Sequence, residues 1–135
     1  MYGEIIIPSA VYDEIEVGKK WKYYVDLQHE HWISIQQVKD TFSLDFLLDL
    51  DKGEAEVIVL AREIEADLVI LDETLARGYA KRFNLPLTGT IGVLLKAKER
   101  GLIERVGDLL DQLVAKGVWL SPKIIRQAKE IAKEY

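Results

Sequence analysis

The chain has 135 residues, no cysteine, two histidines and a formal net charge of -5, with 49% hydrophobic and 30% charged residues. That length can bury a core without staples, and the composition is globular rather than disordered. Disulfides and thiolate metal sites are excluded, a histidine-rich zinc site lacks ligands, and the acidic balance argues against electrostatic coating of nucleic acid. Any metal would have to be a hard cation held by carboxylates. No apolar run approaches the ~20 residues that span a membrane. The start lacks a basic-then-apolar leader, so a cytoplasmic protein of one domain, residues 1–135, is expected.

Glu4-Ile5-Ile6-Ile7 is a β-branched run closed by Pro8 and reads as a buried strand. Ser9 is placed to cap a helix that ends near Gly18. Trp21, Tyr24, Val25 and Gln28 have helical spacing, which predicts a helix from Trp21 to His29. Trp32 to Val38 alternates apolar and polar residues, as an edge strand does. A short helix is predicted over Leu44 to Leu50, and Asp51 opens a longer one to about Ala66. Leu68 to Leu71 is an apolar strand, Thr74 to Phe83 a helix ended by Asn84, and Leu85 to Thr88 a short strand near an edge. Thr90 caps a helix to Arg100, stopped by Gly101. A helix over Val106 to Lys116 is ended by Gly117, and Ser121-Pro122 starts the last one. Strands alternating with helices, with apolar inner strands, argue for a three-layer α/β/α fold with a mostly parallel sheet.

The candidate chemistry is acidic. Asp51 and Glu54 have capping-box spacing, so Glu54 has a plain structural reading as the partner of a cap. The helical wheel adds a second reading: Glu54 shares the buried face with Val57, Ile58 and Ala61, and points over the rim of the sheet. Glu56 falls beside Glu63 on the opposite side, where a solvated surface is expected. Asp72 and Glu73 leave the carboxyl end of the Leu68–Leu71 strand, the end at which open α/β sheets bind ligands. Asp72 or Thr74 has the competing reading of a cap for the next helix. Acids packed together repel, so such a cluster points to bound Mg²⁺ or Mn²⁺. Thr88 and Thr90 bring hydroxyls to the same rim, and Thr90 stands at a helix start suited to a phosphate, though a simple cap explains it equally. No glycine-rich phosphate loop follows any strand, which counts against a Rossmann-like nucleotide binder.

Several stretches together resemble the PIN-domain family, in particular its small predicted nucleic-acid-binding members related to toxin ribonucleases. They are Tyr2-Gly3-Glu4 through Pro8, Ala10 to Glu14, Gly53-Glu54-Ala55-Glu56, Ala66 to Leu68, Leu71-Asp72-Glu73, Leu75-Ala76-Arg77, Thr88 to Leu95 and Ala97 to Ile103. The resemblance implies Mg²⁺- or Mn²⁺-dependent cleavage of RNA, with Glu54 and Asp72 as metal-binding acids and Glu73 as a third member of the catalytic cluster. Thr90, Arg77 and Lys96 are then candidates to contact nucleic acid, with Lys81 and Lys98 beside them, although a solvated surface is the ordinary role for such cations.

One departure stands out. PIN proteins begin with a central strand carrying an essential Asp, followed by a helix, before the piece equivalent to Tyr2-Gly3-Glu4. That unit is absent here, and none of Asp13, Asp26, Asp40 or Asp45 ends a central strand. A fourth acidic position of many PIN sites is Thr here, at Thr88 or Thr90. Three arrangements follow: a start upstream of Met1, direct pairing of the strands at Ile5 and Leu68, or a gap covered by a second chain in a homo-oligomer. The expected function is a PIN-like ribonuclease with an incomplete acidic site, and the resemblance extends this to the toxin of a toxin–antitoxin pair with an antitoxin-like partner. The alternative is a catalytically inactive PIN-like protein acting by association, with Trp21, Tyr24, Trp32 and Trp119 as candidate surface or, more ordinarily, as core.

Overall fold

The computed structural model describes residues 1–22 and 24–135. The fold is α/β, with seven α-helices and short parallel strands among the described residues, as the sequence predicts. The chain forms two compact units, Met1–Leu87 and Thr88–Tyr135.

In the first unit, β1 (Ile5–Pro8) runs parallel to β2 (Ile33–Gln36), with Ile5 opposite Ile33 and Ile7 opposite Ile35. Three β-branched residues suit the pleated conformation, and Pro8, which has no N–H, ends the ladder. The chain passes directly into α1 (Ser9–Val17), with Pro8 at the cap position. Ser9 therefore does not cap; its hydroxyl donates to the Gln36 carbonyl at 3.4 Å and ties the helix start to the end of β2. The helix predicted over 21–29 reduces to one 3-10 turn, Leu27–His29, capped by Asp26. Residue 23 of that span lies outside the described residues. The helix predicted over 44–50 lies earlier, as α2 (Thr41–Leu44), because Asp40 supplies the cap by accepting from the Ser43 N–H at 3.1 Å.

Helix α3 (Lys52–Glu63) begins where predicted. Asp51 accepts from the Glu54 N–H at 2.8 Å. Asp51→Ala removes that bond and is expected to cost about 1 kcal/mol, read as a lower urea midpoint; an unchanged midpoint would remove the cap from the stability account. The helix is buried over most of its circumference, with Ala55, Ile58, Val59, Leu60 and Ala61 all in the core. A helix buried on so many sides lies inside the molecule, and α1, α2 and β1 pack on it. It stops earlier than the apolar pattern does. Glu65 adopts the left-handed conformation at φ 51°, and the Ala66 N–H returns to the Ala61 carbonyl at 3.0 Å.

The strand expected over 68–71 is shorter, as β3 (Val69–Ile70), and it pairs with β4 (Leu87–Thr88). Between them runs α4 (Thr74–Arg82), followed by Asn84 at φ 57°. The two strand pairs are separate sheets, so direct pairing of the strands at Ile5 and Leu68 is not formed. A groove of about 680 Å³ lies between β1 and β3, against α3.

The second unit is helical: α5 (Thr90–Glu99), α6 (Val106–Ala115) and α7 (Pro122–Ile131). Gly89, not Thr90, holds the cap position of α5, so Thr90 is its first helical residue rather than its cap. Ser121 caps α7 as predicted, accepting from the Ile124 N–H at 3.1 Å, with Pro122 at the first position. Val106, Leu110, Ala128 and Ala132 form the core of this unit.

The tryptophans are not core residues. Trp21, Trp32 and Trp119 are exposed, and the Trp32 indole N–H is held by Glu30 at 2.9 Å. Tyr24 is half-buried, its hydroxyl bonded to the Glu16 carboxylate.

Candidate functional site

The acids of interest gather around the first turn of α3. Its cap, Asp51, and its first-turn acid, Glu54, are joined through the Glu54 N–H and through their side chains. Glu54 is half-buried at the edge of the groove. Desolvation first, then the hydrogen bond to Asp51 and the negative charges of Asp51, Glu73 and Glu14, push its pKa up to about 7. Asp51 moves the other way, because the side chain and N–H of Glu54 favour its charged form. A carboxyl that titrates near neutrality in a groove marks a candidate functional position with a stated physical cause.

Glu14 is the member that sequence reasoning passed over. A Cβ added at Gly53 would stand 2.6 Å from the Glu14 carboxylate oxygen, so glycine there lets the acid lie against the start of α3. A signal was present: Glu14 is one turn beyond Ala10, which is buried against the core, so the two share a face.

Asp72 and Glu73 also line the groove, just beyond β3. Asp72 is exposed. Glu73, rather than Asp72 or Thr74, caps α4 by accepting from the Leu75 N–H at 2.8 Å. Glu73 thus combines a local structural task with an electrostatic influence on Glu54. Arg77 donates to the Leu71 carbonyl at 2.7 Å, which braces the end of β3. Lys81 and Lys96 are exposed, whereas Lys98 is held within the second unit by Glu134. Thr90 is half-buried at the start of α5. The groove's wall includes Glu54, Asp72 and Glu73; Arg77, Thr90 and Lys96 are not part of it.

Glu56 contradicts the helical-wheel reading. It is 7% exposed, and its carboxylate accepts from the Ala10 N–H at 3.0 Å. The wheel assumed one buried face, but α1 packs on the side where Glu56 lies and presents its amino terminus to the acid. Glu56 therefore fastens α1 to α3.

A hard cation such as Mg²⁺ is commonly held by one or two carboxylates, waters and substrate phosphate. Among the described residues, no group of three or more acid or imidazole side chains forms a metal site by itself. Glu54 and Asp72 still suit that donor chemistry. Both offer carboxylate oxygens to one groove, and burial with neighbouring negative charge makes ionised Glu54 costly unless a cation offsets it.

Half-buried Glu54 thus stands at the edge of a groove in an α/β fold. A family model described as a PIN domain matches residues 1–134, and the chain belongs to the PIN-domain family. Members of this family are nuclease-like and generally use divalent metals. No curated protein and no solved structure matches the chain. No helix among the described residues is long and apolar enough to cross a membrane.

Proposed function

We propose that the protein is a Mg²⁺- or Mn²⁺-dependent ribonuclease of the PIN kind, with Glu54 and Asp72 as metal-binding acids and an acidic site incomplete within residues 1–135. The observation that carries this reading is Glu54: an acid of pKa about 7 in a groove that Asp72 and Glu73 also line. A divalent cation, when bound, supplies an activated water and balances the charge that develops on phosphate. This chain's own part is to hold Glu54 at the start of α3 through Asp51, to set Asp72 at the end of β3, and to brace that strand end with Arg77. Lys96 and Thr90 remain candidates for the RNA backbone, Arg77 less so, since its guanidinium already holds Leu71. A toxin role with an antitoxin-like partner in the cytoplasm belongs to the same proposal.

The test is cleavage of single-stranded RNA in Mn²⁺ by the full chain, by Asp72→Asn and by Glu54→Gln. Each substitution is expected to lower the rate roughly 100-fold or more. Rates equal to that of the unsubstituted chain would overturn the site assignment.

A second reading, an inactive PIN-like protein that works by association with itself or a partner, is favoured by one observation, the open groove between the two strand pairs. No cleavage by the unsubstituted chain in Mn²⁺ would support it over the first.

A further inference from the structure

Away from the acidic groove, the far ends of α3 and α4 share a second arrangement on the surface of the first unit. Tyr79 and Phe83 are one helical turn apart at the end of α4, so their side chains are neighbours. Their rings stack, with centroids 6.5 Å apart and planes 26° from parallel. The Arg82 guanidinium lies 5.3 Å from the centre of the Tyr79 ring, and that of Arg62, on α3, lies 4.8 Å from the centre of the Phe83 ring. A guanidinium thus covers each ring of the pair. The Tyr79 hydroxyl donates to the Asp49 carboxylate at 2.8 Å, which fixes its ring. Both arginines are exposed, as is Phe83. Among the described residues, none of these four side chains lines the acidic groove. Arg62 stands about two turns beyond Glu54 on α3, ~12 Å at 1.5 Å rise per residue.

Arg62 also borders a cleft of about 270 Å³, together with Asp40, Ser43 and Glu63. The hydroxyl and N–H of Ser43 hold the Asp40 carboxyl below the usual carboxylate range, so it is ionised at neutral pH. The Glu63 carboxylate accepts from the Lys39 N–H at 3.0 Å and the Asp40 N–H at 2.6 Å. Two carboxylates repel a phosphate or an acidic side chain from this cleft. A basic segment meets Arg62, Lys81 and Arg82 instead. A neutral, planar group with N–H donors suits every part: its ring stacks on the guanidinium and its amino group donates to a carboxylate. Unpaired nucleobases have that chemistry, and they bind proteins by stacking on aromatic and arginine planes. Lys81 and Arg82, exposed at the end of α4, supply cations for the phosphates on either side of the base.

We propose that Arg62 and its cleft, backed by the Phe83–Tyr79–Arg82 stack, form a subsite for an unpaired base of single-stranded RNA, outside the acidic groove. The choice of RNA as the strand rests on the ribonuclease reading; the stacking geometry does not. The subsite anchors the strand by a base and takes no part in the chemistry at the groove. Asp49 and the two rings set the surface in advance, so little ordering is left for the moment of binding.

The test uses the full chain in EDTA, where metal-dependent cleavage cannot consume the probe. Fluorescence anisotropy reads binding of a labelled oligocytidylate of about ten nucleotides, and of the same strand with abasic positions. The cytidine strand is expected to bind about tenfold more tightly or better. Arg62→Lys keeps the charge and loses the planar face, at an exposed position where the fold does not depend on it. It is expected to remove the preference for the cytidine strand and to leave binding of the abasic strand unchanged. Phe83→Leu, which takes away the ring beneath Arg62, is expected to do the same. Equal binding of the two strands by the unsubstituted chain would overturn the proposal, as would full retention of the preference in Arg62→Lys. Displacement of the RNA by oligoglutamate as readily as by unlabelled oligocytidylate would assign the surface to an acidic protein segment and overturn it too. Base-dependent binding in EDTA without cleavage in Mn²⁺ would uphold the subsite and remove the ribonuclease reading, so the two fail separately.

Discussion

Glu134→Ala is expected to destabilise the protein by about 2–3 kcal/mol. The carboxylate is buried at 7% exposure and accepts from the Val106 N–H at 2.7 Å, the Gly107 N–H at 2.8 Å and the Lys98 ammonium at 2.9 Å. Those two N–H groups are free donors of the first turn of α6, and truncation leaves both buried without a partner. The position is reached because Lys133 takes the left-handed conformation at φ 60°, and the Glu134 N–H returns to the Lys129 carbonyl at 2.8 Å. Lys98 also donates to the Ala132 carbonyl at 2.5 Å, so it holds both the acid and the helix end before it.

The pH dependence of this contact has a definite sign. Burial by itself raises the Glu134 pKa, but the Gly107 N–H, the Lys98 side chain and the Val106 N–H outweigh it, and the net result is a fall from 4.5 to about 2. A depressed acid contributes stability that is present above its unfolded pKa and is lost as pH falls through the folded one. Wild-type stability should therefore decline between about pH 4.5 and pH 2 by an amount missing from Glu134→Gln. Parallel stability–pH curves for the two proteins over that window would contradict this assignment.

Ile58→Ala is expected to cost about 2–5 kcal/mol. Ile58 is completely buried on α3, in the cluster that includes Leu47, Leu60, Val69 and Leu71. Elements from both sides of the helix meet there, so neighbours can relax only partly into the space left by the side chain. Ile58→Val removes one methylene and should cost about 0.5–1.5 kcal/mol. Denaturant midpoints for the two variants check the ratio; equal losses would mean that strain rather than cavity volume sets the cost.

The elements visible in the sequence are those whose signals are local. Asp51 and Glu54 are three residues apart, and their cap forms as the spacing predicts. Ser121-Pro122 starts α7 for the same reason. Asn84, Gly101 and Gly117 were legible as helix stops because these residue types tolerate positive φ, and all three adopt it. Glu65 and Lys133 adopt it as well, but their side chains carry no such preference, so the early end of α3 and the turn that delivers Glu134 left no mark in the pattern. The 21–29 span shows the opposite case, where helical spacing is present but, among its described residues, only Leu27–His29 forms a helical turn.

At the candidate site the division is similar. Glu54, Asp72 and Glu73 could be named from a helix start and a strand end, and they do line one groove. Family membership was equally legible, since it rests on a long string of short local matches, and the family model covers residues 1–134. Tertiary structure alone decided which neighbours those acids have. Glu14 comes to Gly53 because α1 packs on α3, and Glu56 is buried for the same reason, bonded to an N–H 46 residues away in sequence. The groove beside β1 also belongs to that level. A run such as Ile5-Ile6-Ile7 announces a strand through its own side chains, but whether its second edge is paired depends on residues far along the chain.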